Sequence, residues 1–277
     1  MIEREYDISG AIVFWSLQPT PYQAVREVFT EMGYADCVPN PRTDQSALEN
    51  SIRAVYGTRN KTIISRKQPK RNGVELVNIE RSTQRNGYIT NFGARVLGSR
   101  VKADYGFADE GALTEEFLKL KARLTTTAVG QALVAVLEKM DGMTGLKPGV
   151  YYIPEHHLKR WKELAERVEG CQEGNKITTA RVAMDEGTAR TIRDTLTREV
   201  QEKAAKLLDD VSKGTLSDVQ LQSRAKEAQA LVDRVTLYSS ILNEGLEGLK
   251  SVAQLANGAA AAAVMQDFAA AGIGMCA

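Results

Sequence analysis

A chain of 277 residues, 43% hydrophobic and 26% charged, is long enough for one large domain or two smaller ones, and these fractions exclude a disordered chain. Cys37, Cys171 and Cys276 are odd in number and far apart, which excludes a disulfide framework or a CxxC pair and points to a reducing, cytoplasmic compartment. The net charge of +1 hides a segregation: residues 1–49 carry 3 basic and 8 acidic side chains, residues 50–102 carry 12 and 2, and residues 103–277 carry 21 and 25.

The charged residues after Met1 are unlike a signal peptide. The longest apolar stretch, residues 258–265, is far short of the roughly 20 residues that span a bilayer, so no membrane association is expected. The apolar run 11–17 reads as a buried strand. Thr20 followed by Pro21 reads as a helix start, with Thr20 as the cap and the helix running to about Met32 before Gly33. Residues 37–41, with two prolines, form a stiff connector; Asp44 then caps a second helix that Gly57 ends.

The period changes over residues 61–97. Segments starting at Thr62, Val74 and Tyr88 are rich in β-formers, and an Asn-Gly pair precedes each of the last two. Such pairs accept the positive φ of tight turns, so a three-stranded antiparallel meander is expected, with 95–105 as a further strand. Helical spacing returns over 113–124 and 126–140, the second capped by Thr125 or Thr126. A strand over 149–154, a helix over 155–168 and a strand over 177–184 follow.

Asp185 caps a helix to about Val211, Lys213 and Gly214 break it, and Ser217 caps a partner running to about Leu255. On that partner Val219, Leu231, Val235, Leu242, Leu246 and Leu249 recur at helical spacing, the stripe of a coiled-coil-like hairpin that self-associates or docks a partner. Residues 257–277 form an Ala- and Gly-rich tail.

His156 and His157 are the two histidines. On an α-helix adjacent residues point about 100° apart and no cysteine lies nearby in sequence, so no metal site and no cofactor are expected. No phosphate-binding loop, dinucleotide fingerprint or nucleophile elbow occurs, so no catalytic residue is named. The basic segment offers polyanion contacts through Arg59, Lys61, Arg66, Lys67, Lys70, Arg71, Arg81, Arg85 and Arg95, with Tyr88 placed to stack on a base. Docking onto the chain's own acidic regions or onto another subunit explains the same charges.

Three places together resemble an uncharacterised family of bacterial and phage proteins. They are Phe14–Leu17 with Val38, Pro39 and Asp44–Leu48; the strand 149–154; and the helix pair after Asp185 with Val235, Tyr238 and Leu242. The chain departs from the family's pattern at Leu48, Glu49 and Asn50, where arginines are usual. The resemblance implies a cytoplasmic setting and supplies no catalytic residues.

The fold expected is α+β: an antiparallel meander with packed helices in a domain over 1–184, a helical hairpin over 185–256 and the tail over 257–277. The function expected is non-enzymatic binding or assembly, as a homo-oligomer or with a protein partner. Sequence-non-specific nucleic-acid binding through 53–102 is the alternative, and an enzyme of unrecognised type the third.

Overall fold

The structure, a computed structural model, describes residues 8–56, 62–68, 73–82, 85–105 and 109–270, with side chains over 10–55, 93–103 and 109–265. It is α+β. In order the elements are β1 (Ile8–Ser16), β2 (Thr20–Pro21), α1 (Tyr22–Glu31), α2 (Asp44–Tyr56), β3 (Thr62–Gln68), β4 (Gly73–Ser82), β5 (Arg85–Leu97), β6 (Arg100–Tyr105), α3 (Glu110–Lys121), β7 (Arg123–Leu124) and α4 (Thr126–Lys139). Then come β8 (Met143–Lys147), β9 (Val150–Pro154), a 3-10 turn (Glu155–His157), α5 (Leu158–Gly170), β10 (Lys176–Ala183), α6 (Glu186–Ser212), α7 (Asp218–Leu242) and α8 (Glu247–Ala270). Among the described residues no helix is long and apolar enough to cross a membrane.

Contacts divide the chain into two compact units, one of residues 1–14, 137–162 and 178–277 and one of 15–136 and 163–177. This line differs from a boundary at 184. The strands β8 and β9 contribute Met143 and Tyr152 to the same core as the C-terminal helices, so they group with those helices.

In the second unit the meander is a four-stranded antiparallel sheet in the order β3-β4-β5-β6. Its ladder pairs Ser82 with Arg85, and Asn86 and Gly87 lie within β5 opposite Arg81 and Glu80. The second Asn-Gly pair is therefore strand, because the chain reverses three residues earlier than the pair suggests. Ala47, Leu48 and Ile52 of α2, Ala94, Val96 and Val101 of the sheet, and Leu113 and Phe117 of α3 form one buried cluster.

Two helix starts differ from their local signal. Thr20 is buried and caps nothing: its hydroxyl donates to the Gln18 carbonyl (2.8 Å) and accepts from Asn175 (3.1 Å), and Pro21 takes the N-cap position. At α2, Thr43 Oγ1 accepts from the Ser46 N–H (3.3 Å), and Asp44, one residue inside, pairs with Lys121. Thr125 does cap α4, accepting from the Ala128 N–H at 3.0 Å.

In the first unit a sheet in the order β10-β1-β9-β8 packs with α6, α7 and α8. Asp185 caps α6 by accepting from the Thr188 N–H (2.6 Å), and the Gln220 carboxamide accepts from the Ser217 N–H (2.9 Å) at the start of α7. A single helix from 217 to 255 does not form. Asn243 takes a left-handed conformation (φ 50°) that ends α7, and α8 turns back from Glu247. The hairpin is thus joined by a third long helix. Ala204, Ala228, Ala253, Ala256 and Ala260 are all buried between the three, and small side chains at these positions let the backbones approach closely.

Candidate functional site

The corner between α4 and β8 is a tightly constrained stretch of backbone. Its N–H groups fold back on the helix: Asp141 donates to the Glu138 carbonyl (3.3 Å) and Gly142 to the Leu137 carbonyl (2.7 Å). Asp141 sits at φ 54°, a left-handed conformation that aspartate tolerates better than most residues. Gly142 has no room for a side chain, since a Cβ would lie 2.9 Å from the carbonyl oxygens of Leu137 and Tyr152.

One face of α7 holds this corner. The buried Tyr238 hydroxyl donates to the Asp141 carbonyl (2.6 Å), and Arg234, one turn earlier, donates to the Gly142 carbonyl (2.7 Å). Arg234 also pairs with Glu199 of α6 at 3.1 Å, with side chains only 11% and 12% exposed. Arg234 Nε and Glu199 Oε1 are buried without a hydrogen-bond partner among the described residues. Burial pushes the Tyr238 phenol far above its ordinary range.

The two histidines meet this corner. After β9 and Pro154 the chain makes a 3-10 turn, not the α-helix expected from residue 155, and the imidazoles of His156 and His157 lie 4.1 Å apart between centroids. His157 Nε2 is 3.5 Å from Asp141 Oδ2, and one donor atom from each of the three side chains lies within 4.8 Å of the others. Partial burial, then the neighbouring His157, lower the pKa of His156 against the pull of Asp141, which favours the neutral imidazole. The sequence offered no cysteine near the histidines; the structure places the Asp141 carboxylate beside them. Asp141 is 15 residues from His156 in sequence, and its only sequence signal is an Asp-Gly pair at the end of a helical stretch.

Asp141 also lines a cleft of about 400 Å³ with Lys203, Lys206, Asp210, Arg224 and Arg234. Arg224 is neutralised by Asp210 (3.0 Å) and Glu227 (2.7 Å). Lys203 and Lys206 are exposed and make no ion pair among the described residues.

The stripe expected to self-associate is mostly spent inside the unit. Leu231, Val235, Leu242 and Leu249 are buried in the shared core, Leu246 packs against it, and Val219 is 78% exposed. Of the basic residues, Arg59, Lys61, Lys70 and Arg71 lie outside the described residues; Arg66, Lys67, Arg81, Arg85 and Tyr88 are placed by backbone alone. The ladder sets Arg81 and Arg85 at one end of β4–β5 and Lys67 and Arg95 near the other. Arg95 is half-buried, while Arg100 and Lys102 are exposed.

No curated protein and no solved structure matches the chain. Residues 110–270 take in α3, α4, the Asp141 corner, both histidines and the three long helices. Over that span, more than half of its length, the chain matches a family of unknown function, DUF6744, and it belongs to that family.

Proposed function

We propose that the protein is a binding and assembly protein that pairs with a second copy of itself through the outer face of α8. One observation carries this reading. From Ser251 to Gln266 the helix has no charged residue, yet Leu255 is 65% and Met265 73% exposed. Solvated helix faces carry charges, and this one does not.

The exposed positions Leu255, Gly258, Ala262 and Met265 are spaced 3, 4 and 3, a heptad seam opposite the inner seam Leu249, Ala253, Ala256 and Ala260. The outer seam reads the same in both directions about residue 260. In an antiparallel pair Leu255 meets the partner's Met265 and Gly258 meets the partner's Ala262, so large side chains close the ends and small ones let the middle approach. Gly258 faces open space.

Light scattering of the full chain after size exclusion tests this. The parent should run as a dimer, and the double change Leu255→Asp with Met265→Asp as a monomer with unchanged far-UV circular dichroism. A monomeric parent defeats the reading.

The free thiols Cys37, buried, and Cys171, half-buried, support a reducing, cytoplasmic setting. The meander supports a second reading, weak polyanion binding, because the segment with 12 basic and 2 acidic residues folds largely as one sheet. A low-salt titration with single-stranded and duplex nucleic acid decides it, and no binding to either removes it.

A further inference from the structure

The geometry points to Asp141, His156 and His157 as a binding site for one divalent transition-metal ion, an inference independent of the pairing of α8. Two imidazole nitrogens and one carboxylate oxygen form a borderline donor set that suits zinc, nickel, cobalt or copper better than calcium or magnesium. The distances fit such an ion. Donors bound at about 2.0–2.1 Å in tetrahedral geometry stand about 3.4 Å from one another. His157 Nε2 and Asp141 Oδ2 are already 3.5 Å apart. One donor atom from each of the three side chains lies within 4.8 Å of the others, and His156, exposed at the surface, closes a remaining gap of at most about 1.4 Å by turning its imidazole.

The surroundings hold the donors in place. Asp141 is fixed at its carbonyl by Tyr238, and the next carbonyl is fixed by Arg234. The histidines follow a strand and a proline and occupy one tight turn. Apart from the contact of His157 with Asp141, neither imidazole has a hydrogen-bond or ion-pair partner among the described residues, so nothing competes for the ring nitrogens. Three protein donors leave a fourth tetrahedral position to water.

The test is calorimetric titration of tag-free, chelator-dialysed full-length protein with zinc chloride. The parent should bind one equivalent. Asp141→Asn, chosen because asparagine also adopts the left-handed conformation, and His156→Gln should each weaken binding roughly tenfold or more. Loading with cobalt(II) separates this site from the three cysteines: the expected spectrum has tetrahedral d–d bands without a near-ultraviolet thiolate-to-cobalt band. Absence of saturable zinc binding, binding unchanged in both variants, or a thiolate-type cobalt spectrum would each overturn the assignment.

Discussion

Replacing Tyr238 by Phe removes a single oxygen from a side chain that is fully buried. The ring stays, and with it the packing against Tyr152 (centroids 6.4 Å apart) and under the Arg234 guanidinium (5.7 Å). What is lost is the 2.6 Å hydrogen bond to the Asp141 carbonyl. A net hydrogen bond is worth about 1 kcal/mol, and an acceptor left dry costs about 1–3 kcal/mol. Asp141 is 44% exposed at its side chain, so water reaches the corner and the loss falls near 1 kcal/mol at the lower end of that range. For a protein of this size that shifts the melting temperature by about 2–4 °C. Truncation to Ala would also lose the ring and cost about 3–5 kcal/mol, which would mask the hydroxyl. The measurement is the urea midpoint and melting temperature of Tyr238→Phe beside the parent. A change within about 0.5 kcal/mol, the ordinary scatter of neutral surface changes, refutes the claim that this hydroxyl holds the corner.

Raising pH tests the same group. Burial lifts the folded-state pKa of Tyr238 above the ordinary 10.0, so its contribution is complete below pH 10.0 and is lost as pH climbs above it; the urea midpoint of the parent should fall there, and that of Tyr238→Phe should fall less. Glu199→Ala leaves the guanidinium of Arg234 buried and unpaired, and equilibrium unfolding should show a loss of about 3–5 kcal/mol, with Arg193→Ala, an exposed pair with Glu244, costing less than about 1 kcal/mol. Gly142→Ala drives a Cβ against two backbone carbonyls and should cost about 1–3 kcal/mol in the same assay, where an unchanged midpoint would show that the corner can shift.

Local signals carried far in this chain, and tertiary ones did not. Asp185 and Thr125 cap their helices as their positions suggest, because each is followed directly by helix-forming sequence. Thr20 and Asp44 carry the same local signal, but partners distant in sequence or outside the helix recruit them: the buried Asn175 and the Gln18 carbonyl take the Thr20 hydroxyl, and Lys121 takes the Asp44 carboxylate. The stripe on α7 was legible as a buried face, yet its partner was not, since the break at Asn243 lets α8 fold back and fill the place that a second chain would otherwise take. The Asp141 site was invisible for a similar reason. Its three donors come from a helix end and a strand end brought together by the β8–β9 hairpin, a long-range pairing that the spacing of the histidines alone does not show.

The corner and the helical core share α7, and this makes metal binding and folding one equilibrium. Arg234 and Tyr238 face the corner, while Leu231, Val235 and Leu242 of the same helix are buried with α6 and α8. Asp141 and the two histidines come together only when β8 and β9 have paired, so the unfolded chain offers the ion separate weak donors. An ion bound only by the folded form adds about 2.7 kcal/mol of stability at a free concentration one hundred times its dissociation constant. Zinc should therefore raise the melting temperature of the parent and leave that of Asp141→Asn nearly unmoved. If zinc raises both equally, the ion is binding elsewhere. If the parent binds zinc calorimetrically but its melting temperature does not change, the donors are gathered in the unfolded chain as well, and the fold contributes nothing to their arrangement.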